Sequence, residues 1–278
     1  PVSACHTLPH PVLAEALRRD PLDARCNHAL GLWQLQRGEF ALAEKHFRTA
    51  LARLTQRNAN PQDGAAFYHL GVCLRHQDRE TEAYSAFYKA CWNQAWLAAG
   101  YHALAEIDCT RQDWATALDH LDRSLRYNTD NLRARNLKVI ALRRLGQSAA
   151  AHKVLRESLA LDRLDVWARH LHGQSLECDE QTRLDLAHDY ARAGLWAEAS
   201  TVLQTTARRA KDLPDQSWGA RPLVHYTLGW LAQRQGRGAA ARQHFKVAAA
   251  SSPDYCFPAR LEEIVILTIG VAALPAAG

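Results

Sequence analysis

The strongest constraint on the fold of this chain is a pattern of small, apolar and aromatic residues that recurs at a nearly constant interval. In the first copy a Leu-Gly pair, a later glycine and the spacing A-x-x-x-F-x-x-A occur at Leu30, Gly31, Gly38, Ala43, Phe47 and Ala50. The positions that correspond to Gly31 are 31, 71, 105, 139, 187 and 229, and the intervals between them are 40, 34, 34, 48 and 42 residues. Two intervals are 34 and the others are longer, so we interpret the chain as six copies of a 34-residue repeat with insertions between some of them.

This repeat resembles the tetratricopeptide repeat, a pair of antiparallel helices called A and B. The resemblance implies an all-α fold, a right-handed α-solenoid of antiparallel helix pairs. It also explains why helical segments here accept glycine, which costs about 1 kcal/mol relative to alanine. The first glycine is expected where helix A crosses helix B, so that backbones approach closely and an aromatic ring of helix B fills the space between pairs. The second is expected after helix A, in a left-handed cap. The crossing glycines are Gly31, Gly71 and Gly229, the rings are Phe47, Phe87 and Phe245, and the capping glycines are Gly38, Gly146, Gly194 and Gly236.

The insertions divide the predicted array into blocks. We predict a first repeat block at 1–163, with a partial N-terminal helix at 10–21 and about four repeats. An orphan A-type helix and a connection are predicted at 164–179, and a second block with two repeats and a C-terminal capping helix at 180–278. Polar loops are predicted at 55–64 and 210–222.

The two ends of the chain carry no signal for export or for membrane insertion. The first residues lack a basic stretch followed by an apolar run, so no secretory signal is expected. The uncharged segment 264–278 has 15 residues, fewer than the ~20 that a membrane helix needs. We interpret it as part of a helix that restarts at about 254–258 and packs on the array.

Within the repeat family, a longer stretch has a narrower resemblance. Segments such as GEFALAEKHFRTALARLTQRN and PDYCFPARLEEIVIL are similar to the helical region of bacterial proteins that carry a mutarotase-like β-sandwich domain of unknown function upstream. The similarity covers roughly residues 20–267. It implies no established activity.

Composition favours a folded protein of a reducing compartment. The chain is 47% hydrophobic and 23% charged, and its net charge of +5 is spread without a polybasic run, so nucleic-acid binding is not expected. The seven cysteines form no C-x-x-C pair, which indicates free thiols and a cytoplasmic location. The densest histidine pair, His170 and His172, has a spacing that places the rings on different sides of a helix, so no metal or cofactor is expected.

The family resemblance suggests where a ligand would bind. Tetratricopeptide arrays bind mainly through the concave face, at positions 2, 5, 9, 12 and 13 of helix A. At these positions the sequence is rich in arginine, histidine and aromatic residues, which suit carboxylates, phosphates or sugar rings. The ligand-groove candidates are Arg25, His28, Tyr68, Arg75, His76, His102, Glu106, Arg133, Asn136, Arg143, Tyr226, Trp230 and Arg234. An ordinary solvated helix face remains the alternative reading.

The tryptophans divide by position in the repeat. Trp114 and Trp196 hold equivalent places near the start of helix B and are expected in the core, and Trp92 and Trp96 are expected to pack at a junction between repeats. Trp230, at position 9, is the best candidate for a ring that faces a ligand.

Two functions are compatible with the sequence. The first is a non-catalytic scaffold that binds a peptide or a partner domain, which includes an adjacent domain of the same polypeptide. It is favoured by the repeat and by the lack of G-x-S-x-G and H-E-x-x-H motifs. Binding of chaperone tails is not expected, because the carboxylate clamp needs Lys and Asn where this chain has His28 and Leu32. The alternative is a helical accessory module of a carbohydrate-active protein that packs on an upstream β-sandwich. The oligomeric state is left open.

Overall fold

The computed structural model describes residues 11–209, 220–254 and 256–273, and within these ranges it contains helices and no strand. The first ten residues, most of the predicted loop 210–222 and the end of the apolar tail lie outside the described residues. The α-helices are α1 (Pro11–Arg19), α2 (Ala24–Gln36), α3 (Phe40–Leu54), α4 (Ala65–Arg75), α5 (Glu80–Ala90), α6 (Leu97–Thr110), α7 (Trp114–Tyr127), α8 (Leu132–Arg144), α9 (Ser148–Leu161), α10 (Val166–Leu171), α11 (Glu180–Arg192), α12 (Trp196–Arg209), α13 (Arg221–Arg234), α14 (Gly238–Ala250) and α15 (Leu261–Ala272).

Neighbouring helices pair in the order that the repeat predicts. Direct packing joins α2 to α3, α4 to α5, α8 to α9, α11 to α12 and α13 to α14. A hydrogen bond of 2.7 Å between Asp108 and His120 joins α6 to α7. The first helix of each pair carries one of the six positions that correspond to Gly31. The fold is therefore the predicted all-α solenoid of antiparallel helix pairs.

The chain divides into two compact units, residues 1–101 and 102–278, which we call unit 1 and unit 2. The predicted orphan helix is present in unit 2 as α10, which spans only Val166–Leu171, and no B-type helix follows it before α11. The predicted blocks, with boundaries at residues 163 and 180, are defined by interruptions of the sequence repeat and not by packing, so they stay a prediction.

The crossing glycines make room for the rings of helix B. A Cβ atom built on Gly31 would lie 2.7 Å from Phe47 Cε1, and one on Gly71 would lie 2.7 Å from Phe87 Cδ1. Phe47 and Phe87 are 0% and 1% exposed. The expectation of a close approach between backbones therefore needs correction, because the nearest atoms belong to the phenyl ring. Burial of each ring contributes roughly 1.5–3 kcal/mol, which offsets the helix cost of glycine.

The A helix of each of the first three repeats is followed, within three residues, by a residue with a left-handed backbone, and only one of these three residues is glycine. Gly38 has φ 74°, as the cap prediction requires. Seven residues after Gly71 and after Ala105, the corresponding residues are Asp78 with φ 57° and Gln112 with φ 61°. The geometry of the cap is thus kept in repeats whose sequence does not show it.

The C-terminal helix packs on the array, as predicted for the described part of the apolar tail. α15 lies along α13, with Ile266 0% exposed and Gly270 against the ring of Tyr226. The helix begins at Leu261 rather than at 254–258, because Glu263 Oε2 accepts hydrogen bonds from the backbone N–H groups of Ala259 and Arg260, as the glutamate of a capping box does. None of the helices in the described ranges is long and apolar enough to cross a membrane.

Candidate functional site

The side chains at positions 2, 5, 9, 12 and 13 of the A helices form what we call the inner face of each unit. In unit 1 the inner face is supplied by α2 and α4. Leu32, Tyr68 and Val72 are half-buried there and leave part of their apolar surface in solvent. Arg25 is exposed and Arg75 is half-buried, at opposite ends of this row. The face combines apolar surface with guanidinium groups, a combination that suits a peptide with acidic and apolar side chains.

A cluster of rings supports the inner face of unit 1. The imidazoles of His28 and His69 are joined by a hydrogen bond of 3.0 Å between Nε2 and Nδ1. Tyr68 stacks on Trp96 with ring centroids 4.8 Å apart, and Trp96 Nε1 donates to Asp63 Oδ1 at 3.1 Å. These contacts tie α2, α4 and the segment before α6 together within unit 1, so the positions of Tyr68 and His28 are set by neighbouring rings.

The histidine pair makes unit 1 sensitive to acid. Burial, together with the nearby His28, lowers the pKa of His69 to about 4, whereas an unfolded histidine titrates near 6.5. Between these values the unfolded chain binds a proton that the folded chain does not, so stability falls as the pH is lowered from about 6.5 to about 4. The contribution is at most about 1.4 kcal/mol per pH unit. We expect the thermal unfolding midpoint to fall less steeply with acid in His69→Gln than in the wild type.

The matched control for this prediction is His152→Gln, which changes an exposed histidine on α9. Its midpoint should follow the wild-type pH dependence. Equal slopes for the wild type and His69→Gln would contradict the assignment of the acid sensitivity to His69.

The inner face of unit 2 is closed by ion pairs between its own helices. Asp189 on α11 pairs with Arg133 of α8 at 3.2 Å, with Arg260 at 3.2 Å and with Arg192 at 3.6 Å. Arg192 also pairs with Glu262 in the first turn of α15. Positive and negative side chains therefore neutralise each other across α8, α11 and α15.

Behind these pairs lies a buried histidine and carboxylate. His188 and Glu263 are both 0% exposed, and their Nδ1 and Oε1 atoms are 4.0 Å apart. Burial lowers the pKa of His188 to about 3, so the ring is neutral near pH 7. Glu263 caps the start of α15 through Oε2, whereas its Oε1 and His188 Nδ1 make no hydrogen bond with each other.

Comparison with known proteins decides the family. A family model described as the tetratricopeptide repeat matches residues 28–96 and 184–255, which together are half of the chain. The chain belongs to the tetratricopeptide repeat family.

A solved structure of a tetratricopeptide repeat protein shares its fold. That protein, from Parabacteroides merdae, is 15% identical, with a TM-score of 0.50, over 93% of this chain and 90% of that one. At this identity the likeness shows the fold alone. The chain is also similar to MamA, at 17% identity and a TM-score of 0.49, over 54% of this chain and 85% of that one.

Several candidates on the inner face of this tetratricopeptide repeat chain hold unit 2 together. Asn136 is 1% exposed and donates to Asp165 Oδ2 at 2.7 Å, so it fixes the start of α10. Arg143 donates to the carbonyl oxygen of Leu171 at 2.9 Å. Arg133 is held by Asp189 as described above. These three side chains join repeats within unit 2, and their role as ligand-groove residues stays a prediction.

The remaining candidates in unit 2 are also engaged. His102 pairs with Glu106 at 3.3 Å, and Glu106 is 7% exposed. Tyr226 lies under Gly270 of α15 and against Phe245. The structure thus brings the inner-face candidates of unit 2 into contact with one another or with neighbouring helices.

Trp230 is a core residue, not a ligand-facing ring. It is 8% exposed and meets Trp196 edge-on, with centroids 5.5 Å apart. The guanidinium of Arg234 lies 5.5 Å from the Trp230 ring. The expectation that Trp230 faces a ligand failed because Trp196, on α12, covers it.

The other tryptophans follow the prediction in part. Trp114 and Trp196 begin α7 and α12 and are half-buried against the core of unit 2. Trp96 packs on Tyr68 as described above. Trp92 was expected to pack as well but is 48% exposed, with Lys89 Nζ 3.7 Å from its ring centroid.

The described residues contain no group of three or more histidine, cysteine or acidic side chains that could hold a metal ion. The six cysteines in this part of the chain are unpaired by disulfides. Burial raises the pKa of Cys91 to about 12 and that of Cys73 to about 11. These two thiols are protonated at neutral pH and behave as small apolar side chains.

Proposed function

We propose that the chain is a non-catalytic protein-interaction scaffold and that the inner face of unit 1 binds a peptide or a segment of a partner protein. Membership in the tetratricopeptide repeat family supports the general role, since such arrays generally mediate contacts between proteins. The observation that carries the choice of surface is the row of partly exposed apolar side chains, Leu32, Tyr68 and Val72, between Arg25 and Arg75.

The contrast with unit 2 supports this choice. The equivalent face of unit 2 is spanned by ion pairs, such as that of Arg133 with Asp189. A ligand that bound there would have to break these pairs, which would leave charged side chains without their partners. When a partner buries the apolar row in unit 1, no ion pair of that row has to be broken. The burial of apolar surface contributes a favourable free energy of roughly 25 cal/mol per Å². Arg25, which is exposed, adds charge-assisted hydrogen bonds to carboxylates of the partner.

Selection from a random peptide library on phage, with the full chain as bait, provides the ligand for the test. Enriched peptides are then titrated by calorimetry against the wild type, Val72→Glu and Arg75→Glu. Val72→Glu places a charge in the apolar row, and Arg75→Glu replaces a positive charge beside it with a negative one. Each variant should therefore weaken binding by about tenfold or more.

The control uses the symmetry of the repeat. Arg143 occupies on α8 the repeat position that Arg75 occupies on α4, so Arg143→Glu makes the same charge change in unit 2. It should leave the affinity within about twofold. A library that yields no enriched peptide, or peptides that bind all variants equally, would overturn the proposal.

The carbohydrate alternative stays a hypothesis with less support. Tyr68, its aromatic candidate in unit 1, has one face stacked on Trp96 and so offers less ring surface to a sugar. A glycan array probed with the wild type and Val72→Glu separates the two functions, since only sugar binding that the variant loses would favour the alternative.

A further inference from the structure

Unit 2 carries a pocket of about 420 Å³ away from its inner face. It lies between the C-terminal part of α9 and the residues that follow α10. It is lined by Arg156, Leu159, Ala160, Arg163 and Gln174. It is an open depression lined mostly by exposed side chains, so it suits part of an extended chain better than an enclosed small molecule.

The polar side chains that line the pocket favour a ligand with hydrogen-bond acceptors. Arg156 and Arg163 are exposed, and a guanidinium carries only donors. Gln174 Oε1 accepts a hydrogen bond of 2.9 Å from Arg169 Nε, and the amide nitrogen of Gln174 is a further donor. The two positive charges favour an anionic ligand.

The acidic side chains closest in sequence are already engaged. Asp162 Oδ1 accepts from the backbone N–H of Leu164 at 2.8 Å, and Glu157 pairs with Arg135 at 3.7 Å. Neither belongs to the lining of the pocket. The two arginines of the lining therefore supply positive charge beside the pocket floor, and no carboxylate lines the pocket.

The floor between the arginines is apolar. Leu159 and Ala160 lie between Arg156 and Arg163 in sequence, and all four line the pocket. Arg156 lies on α9, and Arg163 lies two residues beyond Leu161, where that helix ends. Each guanidinium can hold one carboxylate, so a segment with two acidic side chains and an apolar side chain between them matches this lining.

We propose that this pocket binds an acidic segment of a partner protein, with one carboxylate on Arg156, a second on Arg163 and an apolar side chain on Leu159. The site is separate from the inner face of unit 1, so it adds a second contact point to the scaffold and does not depend on the first.

The test uses the full chain and two labelled, capped peptides, one with two glutamates separated by two leucines and one with glutamines in place of the glutamates. Fluorescence anisotropy should show binding of the glutamate peptide, weakened as salt rises from about 0.05 to 0.3 M because screening increases. The glutamine peptide should bind at least about tenfold more weakly.

Three variants locate the peptide. Arg156→Glu and Gln174→Glu should each reduce the affinity for the glutamate peptide by about tenfold or more. Gln174→Glu keeps an acceptor for Arg169 and replaces only the donor, so the fold is preserved. Lys153→Glu makes the same charge change as Arg156→Glu on an exposed site of α9 that does not line the pocket, and it should change the affinity by less than about twofold.

Each other outcome overturns the proposal in a different way. An equal loss in Lys153→Glu would mean that the peptide responds to overall charge and not to this pocket. Equal binding of the two peptides would mean that carboxylates are not recognised. Inorganic phosphate that displaces the peptide and loses affinity in Gln174→Glu would mean that the pocket holds a small anion. Peptide binding that depends on Val72 instead would place the ligand on unit 1.

Discussion

Gly71→Leu should lower the free energy of unfolding of unit 1 by about 3 kcal/mol. A Cβ atom at this position would lie 2.7 Å from Cδ1 and Cε1 of Phe87, and the ring is 1% exposed, so it has no free space to move into. The larger side chain therefore separates α4 from α5. Arg75→Ala, one turn later on α4, trims a half-buried side chain and should cost less than about 0.5 kcal/mol.

Gly238→Leu provides the matched control for this substitution. Gly238 is also helical, but a Cβ atom there would meet only Arg242 Nη1, at 3.8 Å. The leucine should leave stability unchanged or raise it by up to about 1 kcal/mol, because glycine is a poor helix former. Denaturant unfolding of the full chain, with hydrogen exchange of α4 and α5 to identify the unit that opens, measures both effects. Equal shifts for Gly71→Leu and Gly238→Leu would contradict the packing argument.

Asp189→Asn should lower the stability of unit 2 by about 3 kcal/mol. The side chain of Asp189 is 12% exposed and pairs with Arg133, Arg192 and Arg260, whose side chains are 50%, 26% and 15% exposed. Asparagine keeps the shape but removes the negative charge that the three arginines share. Arg192 then keeps Glu262, and Arg260 keeps Asp185, as a carboxylate partner. Faster hydrogen exchange in α15, measured together with the urea midpoint, would report the loss.

The control for Asp189→Asn is an exposed ion pair of unit 2. Asp119 pairs with Arg123 at 2.9 Å one turn away on α7, and their side chains are 56% and 46% exposed. Solvent screens this pair, so Asp119→Asn should cost less than about 1 kcal/mol. If Asp119→Asn proves as destabilising as Asp189→Asn, the network around Asp189 has no special structural role.

Local spacing was sufficient to predict the repeat, its glycines and its rings. Gly71 and Phe87 are 16 residues apart and belong to the same helix pair, so the sequence of one repeat contains both residues of this contact. The caps at Asp78 and Gln112 could not be predicted from the glycine pattern, because neither position holds a glycine although both have a positive φ.

The inner face of unit 2 could not be predicted from the repeat positions alone. Arg192 and Glu262 are 70 residues apart, and their contact depends on where α15 lies relative to α11. Repeat positions indicate which side of a helix a residue occupies, but not whether another helix covers that side. Trp230 shows the same limit, since its ring lies at a predicted groove position and is covered by Trp196.

The boundary between units 1 and 2 has a practical consequence for anyone who wishes to dissect the chain. It falls between Tyr101 and His102, inside the helix Leu97–Thr110, and not in a loop. A cut there would strip the following four amide groups of their carbonyl acceptors and leave a frayed end in each fragment. Expression fragments should therefore keep the helix at residues 97–110 whole and should begin or end in the turns on either side of it.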